Sequence, residues 1–176
     1  MRILLIRHGD PDYVNDTLTK KGCREAELLA QRAIHLNLGD CYMSPLGRAQ
    51  HTAKPCLEAV GCEAKTLEWL QEFPAQLDIN KAPELAVVYP DVSKNEQGYL
   101  PRIVWDMMPE YLTEHNEYMD RIAWRESLVA QCSDMVEVYD AVIKEFDALL
   151  AKYGYVRENG HYHVEKESTE TITLFC

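Results

Sequence analysis

No apolar run in this chain approaches the ~18 residues that a membrane-spanning helix needs. The opening stretch, Ile3 to Ile6, is four apolar residues long, too short for a span or for the core of a signal peptide. These features predict a soluble, cytoplasmic protein. The six cysteines, Cys23, Cys41, Cys56, Cys62, Cys132 and Cys176, include no Cys-x-x-Cys pair, so neither a disulfide framework nor a zinc site is indicated. Basic residues are scarce: 18 Lys and Arg stand against 29 Asp and Glu, for a net charge of -11. That balance argues against general affinity for nucleic acid or an anionic membrane, so a small anionic substrate would need a local basic pocket. A P-loop, a His-Glu-x-x-His pair and a carboxylate-rich metal motif are all lacking. At 176 residues the chain fits one domain, able to bury roughly 70% of the surface its unfolded form exposes.

What is present begins at Arg2-Ile3-Leu4-Leu5-Ile6-Arg7-His8-Gly9. An Ile/Leu run without polar alternation reads as a short strand covered on both faces by helices. Arg7 and His8 then fall at its carboxyl end, where α/β sheets place their chemistry. The irregular loop Asp10 to Asp16 follows, and within it Asn15 is a candidate donor to a phosphate oxygen. Thr19 reads as a helix cap, with Ala26, Leu29, Ala30, Ala33 and Ile34 at helical spacing after it. Leu38 to Met43 reads as a second strand. Ser44-Pro45 offers the next helix a capping hydroxyl and a proline in its first turn; that helix buries Leu46, Ala49, Ala53, Leu57 and Val60. Arg48 lies one turn into it, near its positive end, whereas Gln50 and His51 read as helix surface. Glu63 to Leu67 fits a third strand leading into Trp69-Leu70-Gln71-Glu72-Phe73.

Arg7-His8-Gly9, Leu18-Thr19-Lys20-Lys21-Gly22, the segment Ser44 to Ala53 and Trp69 to Phe73 together resemble the histidine phosphatase superfamily, which includes the cofactor-dependent phosphoglycerate mutases. The resemblance covers residues 1 to about 75. It implies an α/β fold: a three-layer αβα sandwich with a mostly parallel central sheet, phosphoglycerate mutase-like. It implies His8 as the nucleophile that forms a phosphohistidine, Arg7 and Arg48 as the phosphate clamp, Glu72 as proton donor with Glu68 as its competitor, and Asn15 as a substrate contact. No metal and no cofactor is called for. The implied activity is that of a metal-independent phosphomonoesterase acting on a small phosphorylated substrate. A cofactor-dependent phosphoglycerate mutase and a non-catalytic phosphate-binding module are the alternatives.

The remaining chain is less readable. Pro74, Pro83, Pro90, Pro101 and Pro109 break residues 74 to 117 into short helices and turns. Tyr89, Trp105 and Tyr111 are candidate substrate contacts there, and the family resemblance implies that residues 74–132 are the variable cap segment of a single domain spanning 1–176. Helical patterns run from Glu117 to Ala130 and from Ser133 to Tyr153, the second with a continuous stripe of Met135, Val138, Tyr139, Val142, Phe146, Leu149, Leu150 and Tyr153. Residues 155 to 164 read as a hairpin closed by Asn159-Gly160. His161 and His163 face one side of it without an evident third ligand, so both read as structural or exposed. Thr171 to Phe175 is a final strand. The family resemblance places a second active-site His just after such a strand, and the sequence reaches Cys176 without one. The expectation is therefore a fragment whose closing strand and helix are missing, with an open apolar edge on the sheet, and inactive as it stands if that His is required. Substrate identity and oligomeric state, a homodimer included, stay open.

Overall fold

The computed structural model describes residues 1–176. Its chain divides into two compact units, Met1–Glu72 with Val142–Cys176, and Phe73–Ala141.

In the first unit, β1 (Arg2–Ile6) leads through a loop to α1 (Lys20–Ala33). Thr19 caps this helix, its hydroxyl accepting from the Gly22 N–H at 3.1 Å. Removing that acceptor by Thr19→Ala should cost about 1 kcal/mol, read as a lower urea midpoint. The buried face of α1 is Gly22, Ala26, Ala30 and Ala33, small side chains at successive turns that allow a close approach to the next helix. After β2 (Asp40–Met43) comes α2 (Gly47–Val60), whose buried face is likewise small: Ala49, Ala53 and Cys56. Val60, expected inside, is exposed at the last turn. Then follow β3 (Ala64–Thr66) and α3 (Met135–Ala151). The hairpin of β4 (Tyr155–Glu158) and β5 (His161–Val164) turns at Asn159 and Gly160, both at positive φ, the backbone that a two-residue hairpin turn requires. The chain closes with β6 (Thr171–Phe175).

The central sheet has the order β1-β6-β2-β3 with every pair parallel. Period-2 alternation divides the two faces of β6. Phe175 joins Leu4, Ile6, Cys41, Ala53 and Cys56 beneath α1 and α2. Ile172 and Leu174 join Leu70, Leu149, Leu150 and Tyr153 on the α3 side. Helices thus cover both faces, giving the three-layer α/β arrangement that the sequence predicts.

Strand order locates the apolar edge. β6 is interior and buried at all five residues. The edges are β1 and β3, and Ile3 and Leu5 of β1 are 38% and 70% exposed. The unbroken Ile/Leu run thus does not report cover on both faces: Leu4 and Ile6 pack under α1 and α2, while the alternate pair faces the other way on an unpaired edge.

The second unit has its own core, built around Leu77, Ile79, Leu85, Val104 and Val129. It takes in Met135 and Val138 at the start of α3, so it reaches past the 74–132 segment. The apolar stripe of α3 is therefore not one core face: its first turns serve this cluster, and Phe146, Leu149 and Leu150 serve the sheet. The helix expected over 117–130 is replaced by the single-turn segments Asn116–Met119 and Ala123–Glu126 and the short helix Leu128–Gln131. Asp120 explains the break, since its carboxylate accepts from the Ile122 and Ala123 N–H groups, a local turn that competes with helix continuation. No helix of the chain is long and apolar enough to cross a membrane.

Candidate active site

The carboxyl ends of the parallel strands open onto a cleft of about 400 Å³ lined by Arg7, His8, Arg48 and Glu72 among others. Each arrives from a different place in the first unit. Arg7 and His8 follow β1 directly. The His8 N–H donates to the Cys176 carbonyl at 2.6 Å and the Cys176 N–H to the Ile6 carbonyl at 2.9 Å, so the β1–β6 ladder continues into the site. The His8 ring holds the Gly9 carbonyl through Nδ1 at 2.8 Å. A carbonyl only accepts, so Nδ1 carries a proton in this bond, and in the neutral ring the lone pair is then on Nε2. Gly9 is anchored in turn, its N–H donating to the Thr52 hydroxyl at 3.0 Å.

Arg48 is buried, 8% exposed, near the start of α2. Its Nη1 donates to Asp16 at 2.9 Å and its Nη2 to Glu72 at 2.7 Å, while Nε is buried without a partner. The Tyr13 ring lies 5.2 Å from the guanidinium carbon and edge-on to the His8 ring. Burial of an arginine is costly unless it is paired, and here two carboxylates supply the pairing.

Asp16 is the residue that sequence reading missed. Ser44 was the expected cap for α2, but its hydroxyl serves only the Leu46 N–H at 3.2 Å, one residue before the helix begins. Asp16 instead accepts from the Gly47 N–H at 2.6 Å and from the Arg48 N–H at 3.5 Å. It thus caps α2 from a distant loop and holds the Arg48 side chain as well. Gly47 is required by this contact, because a Cβ there would fall 2.2 Å from the Asp16 carbonyl oxygen. The Gly47 N–H bond, helped by Arg48, holds the Asp16 carboxyl below its ordinary value of 3.8. A depressed folded-state pKa contributes stability that is present above 3.8 and is lost as pH falls through the folded value. Asp16→Asn should therefore flatten the acid limb of stability relative to wild type, read as the difference in urea midpoint from about pH 5 to pH 2.

The other expected residues divide. Asn15 is exposed, its amide donating to Asp12 at 2.8 Å, and it is absent from the cleft lining; the local Asx-type turn claims it. Glu68, the competitor of Glu72, is likewise outside the lining. His51 accompanies Thr17 at 2.7 Å on the α2 surface. Tyr89, expected as a substrate contact, is a core residue of the second unit, 4% exposed, with its hydroxyl pushed up to about 12 by burial. In the same unit Trp105 packs on Phe73 and Tyr111 stacks on His115. His161 and His163 are exposed on the hairpin, His163 lying 3.6 Å from Glu158. His8 is the single histidine lining the cleft, and Cys176 lies there too, its thiol raised by burial and lowered by Arg7.

The model of the histidine phosphatase superfamily (branch 1) matches residues 3–95. That is more than half of the chain, and the protein belongs to this superfamily. Among particular relatives, the probable phosphoglycerate mutase GpmB of Cronobacter sakazakii is 33% identical over 72 residues, 36% of this chain and 34% of that protein. The match therefore spans about a third of the relative's length. The alpha-ribazole phosphatase of Shigella flexneri shares the fold, with a TM-score of 0.50 and 18% identity over 99% of this chain and 72% of that one.

Proposed function

We propose that the protein is a phosphomonoesterase that works through a phosphohistidine on His8. One observation carries this reading: a histidine with Nε2 free, a buried arginine with an unpartnered Nε, a second arginine and a carboxylate meet in one cleft at the sheet's carboxyl edge. Arg7 and Arg48 bind the phosphoryl oxygens and offset charge as it redistributes in the transition state. His8 Nε2 attacks phosphorus in line, the bond from phosphorus to the leaving oxygen breaks, and Glu72 gives that oxygen its proton. Water then attacks phosphorus, the N–P bond breaks, Glu72 takes the water's proton, and inorganic phosphate leaves. Glu72 pairs with Arg48 in the free protein. An arriving phosphomonoester monoanion competes for that guanidinium, frees the carboxylate and gives it the proton that Glu72 then passes to the leaving oxygen.

The test is hydrolysis of p-nitrophenyl phosphate in the presence of chelator, together with trapping of acid-labile phosphate on the protein. Turnover with an acid-labile adduct that His8→Ala abolishes supports the reading; turnover with an acid-stable adduct overturns it. The mutase alternative draws on the relative's name, and stable phosphorylation by a bisphosphoglycerate would establish it in place of hydrolysis. Phosphate or vanadate binding without turnover would establish a binding module.

A further inference from the structure

Beyond its charged end, the cleft is walled by Leu5 from β1, Leu46 at the start of α2, Trp69 and Leu70 after β3, and Val142 from α3. Trp69 is itself fixed by an edge-on contact with Phe146, their ring centroids 6.1 Å apart. Apart from Glu72, every charged residue in the lining, Arg7 and Arg48, sits with His8 in the phosphate-binding group; no lysine lines the cleft. Arg48 already has two carboxylate partners. A substrate bearing a carboxylate beside its phosphate would therefore turn that second anion toward leucine, valine and indole, where Gln71 offers one neutral amide but no cation remains to balance the charge. A sugar's hydroxyls would meet the same wall. A flat apolar group would gain from it, because area removed from water on both partners is favourable, and 400 Å³ exceeds what a bicyclic ring requires.

We infer that the cleft selects phosphomonoesters of apolar alcohols, aryl or branched alkyl, with the Trp69–Leu5–Val142 wall as the specificity determinant. This inference rests on the phosphate-binding reading of Arg7, His8 and Arg48, and the experiment separates the two.

Binding to the whole chain is measured by calorimetry for inorganic phosphate, methylphosphonate, phosphonoacetate and naphthylmethylphosphonate. Naphthylmethylphosphonate is expected to bind at least ~10-fold more tightly than methylphosphonate, and phosphonoacetate no more tightly than methylphosphonate. Trp69→Ala should collapse the ratio between the two phosphonates. Since Trp69 also packs on Phe146, Leu5→Ser provides the second variant: Leu5 is 70% exposed, its replacement removes little from the core, and it should lower the same ratio. Equal affinities for naphthylmethylphosphonate and methylphosphonate, or tightest binding of phosphonoacetate, would overturn the inference while leaving phosphate binding in place. A ratio unmoved by both substitutions would overturn the role of the wall. Absence of binding by all four ligands would sink the phosphate-binding reading and this inference with it.

Discussion

Replacing His8 by alanine is expected to lower kcat on an aryl phosphate by at least ~10³-fold and to remove the acid-labile phosphoenzyme altogether. The magnitude follows from what the side chain supplies. Without an imidazole at the end of β1, water must attack the phosphoryl group directly, and no other nucleophile in the lining stands with its lone pair prepared in the way that the Nδ1–Gly9 bond prepares Nε2. Removal of a covalent nucleophile typically leaves only the catalysis that binding and charge stabilisation provide. The folded state should tolerate the change, because the imidazole's polar bond is to the adjacent Gly9 carbonyl, part-buried and able to turn to water. A melting temperature close to wild type alongside the lost turnover is thus part of the expectation. Retention of activity within about tenfold, measured in chelator on the same preparation, would remove His8 from the mechanism.

Arg7 and His8 were legible from their place after a short apolar strand, at the edge where a parallel sheet presents its residues, whereas Arg48 and Glu72 were singled out by the resemblance to the histidine phosphatases; the four meet in one cleft. Local rules failed where distant segments meet. Ser44 satisfies every local criterion for an N-cap, yet the acceptor at the Gly47 N–H is the carboxylate of Asp16 from another loop. The signal available was Gly47 itself, a glycine just inside a helix, which marks a close backbone approach without saying by what. Asn15 and Asp16 are adjacent and chemically similar, and only the positive φ of Asp16, 45°, turns one toward Arg48 and leaves the other on Asp12. Strand order was also beyond reach: β1 and β6 are both apolar and five residues long, so composition does not say which is interior. The stretch 117–130 has helical spacing, but capping by Asp120 breaks it.

Arg48→Ala is expected to weaken inorganic phosphate and vanadate by ~10²- to 10³-fold and to lower stability by about 1–3 kcal/mol. The two effects have separate origins. Affinity falls because the fixed guanidinium fork disappears from the cleft, and with it the unpartnered Nε, leaving Arg7 as the remaining cation of the lining. Stability falls because Asp16 and Glu72 lose a charged donor each, at 2.9 and 2.7 Å, and because the buried arginine stem leaves a space under α2. Asp16 and Glu72 are 44% and 40% exposed, so water recovers part of their solvation, which keeps the cost at the level of a lost hydrogen-bond set rather than of a stranded buried charge. Arg48→Lys separates the terms: an ammonium at the same site restores charge and much of the stem but reaches one partner at a time. It should recover most of the stability while phosphate affinity stays well below wild type. Calorimetric phosphate binding and urea unfolding on the three proteins check both. Phosphate affinity unchanged in Arg48→Ala would show that the arginine serves only to join Asp16 to Glu72, and the anion would then have to bind elsewhere.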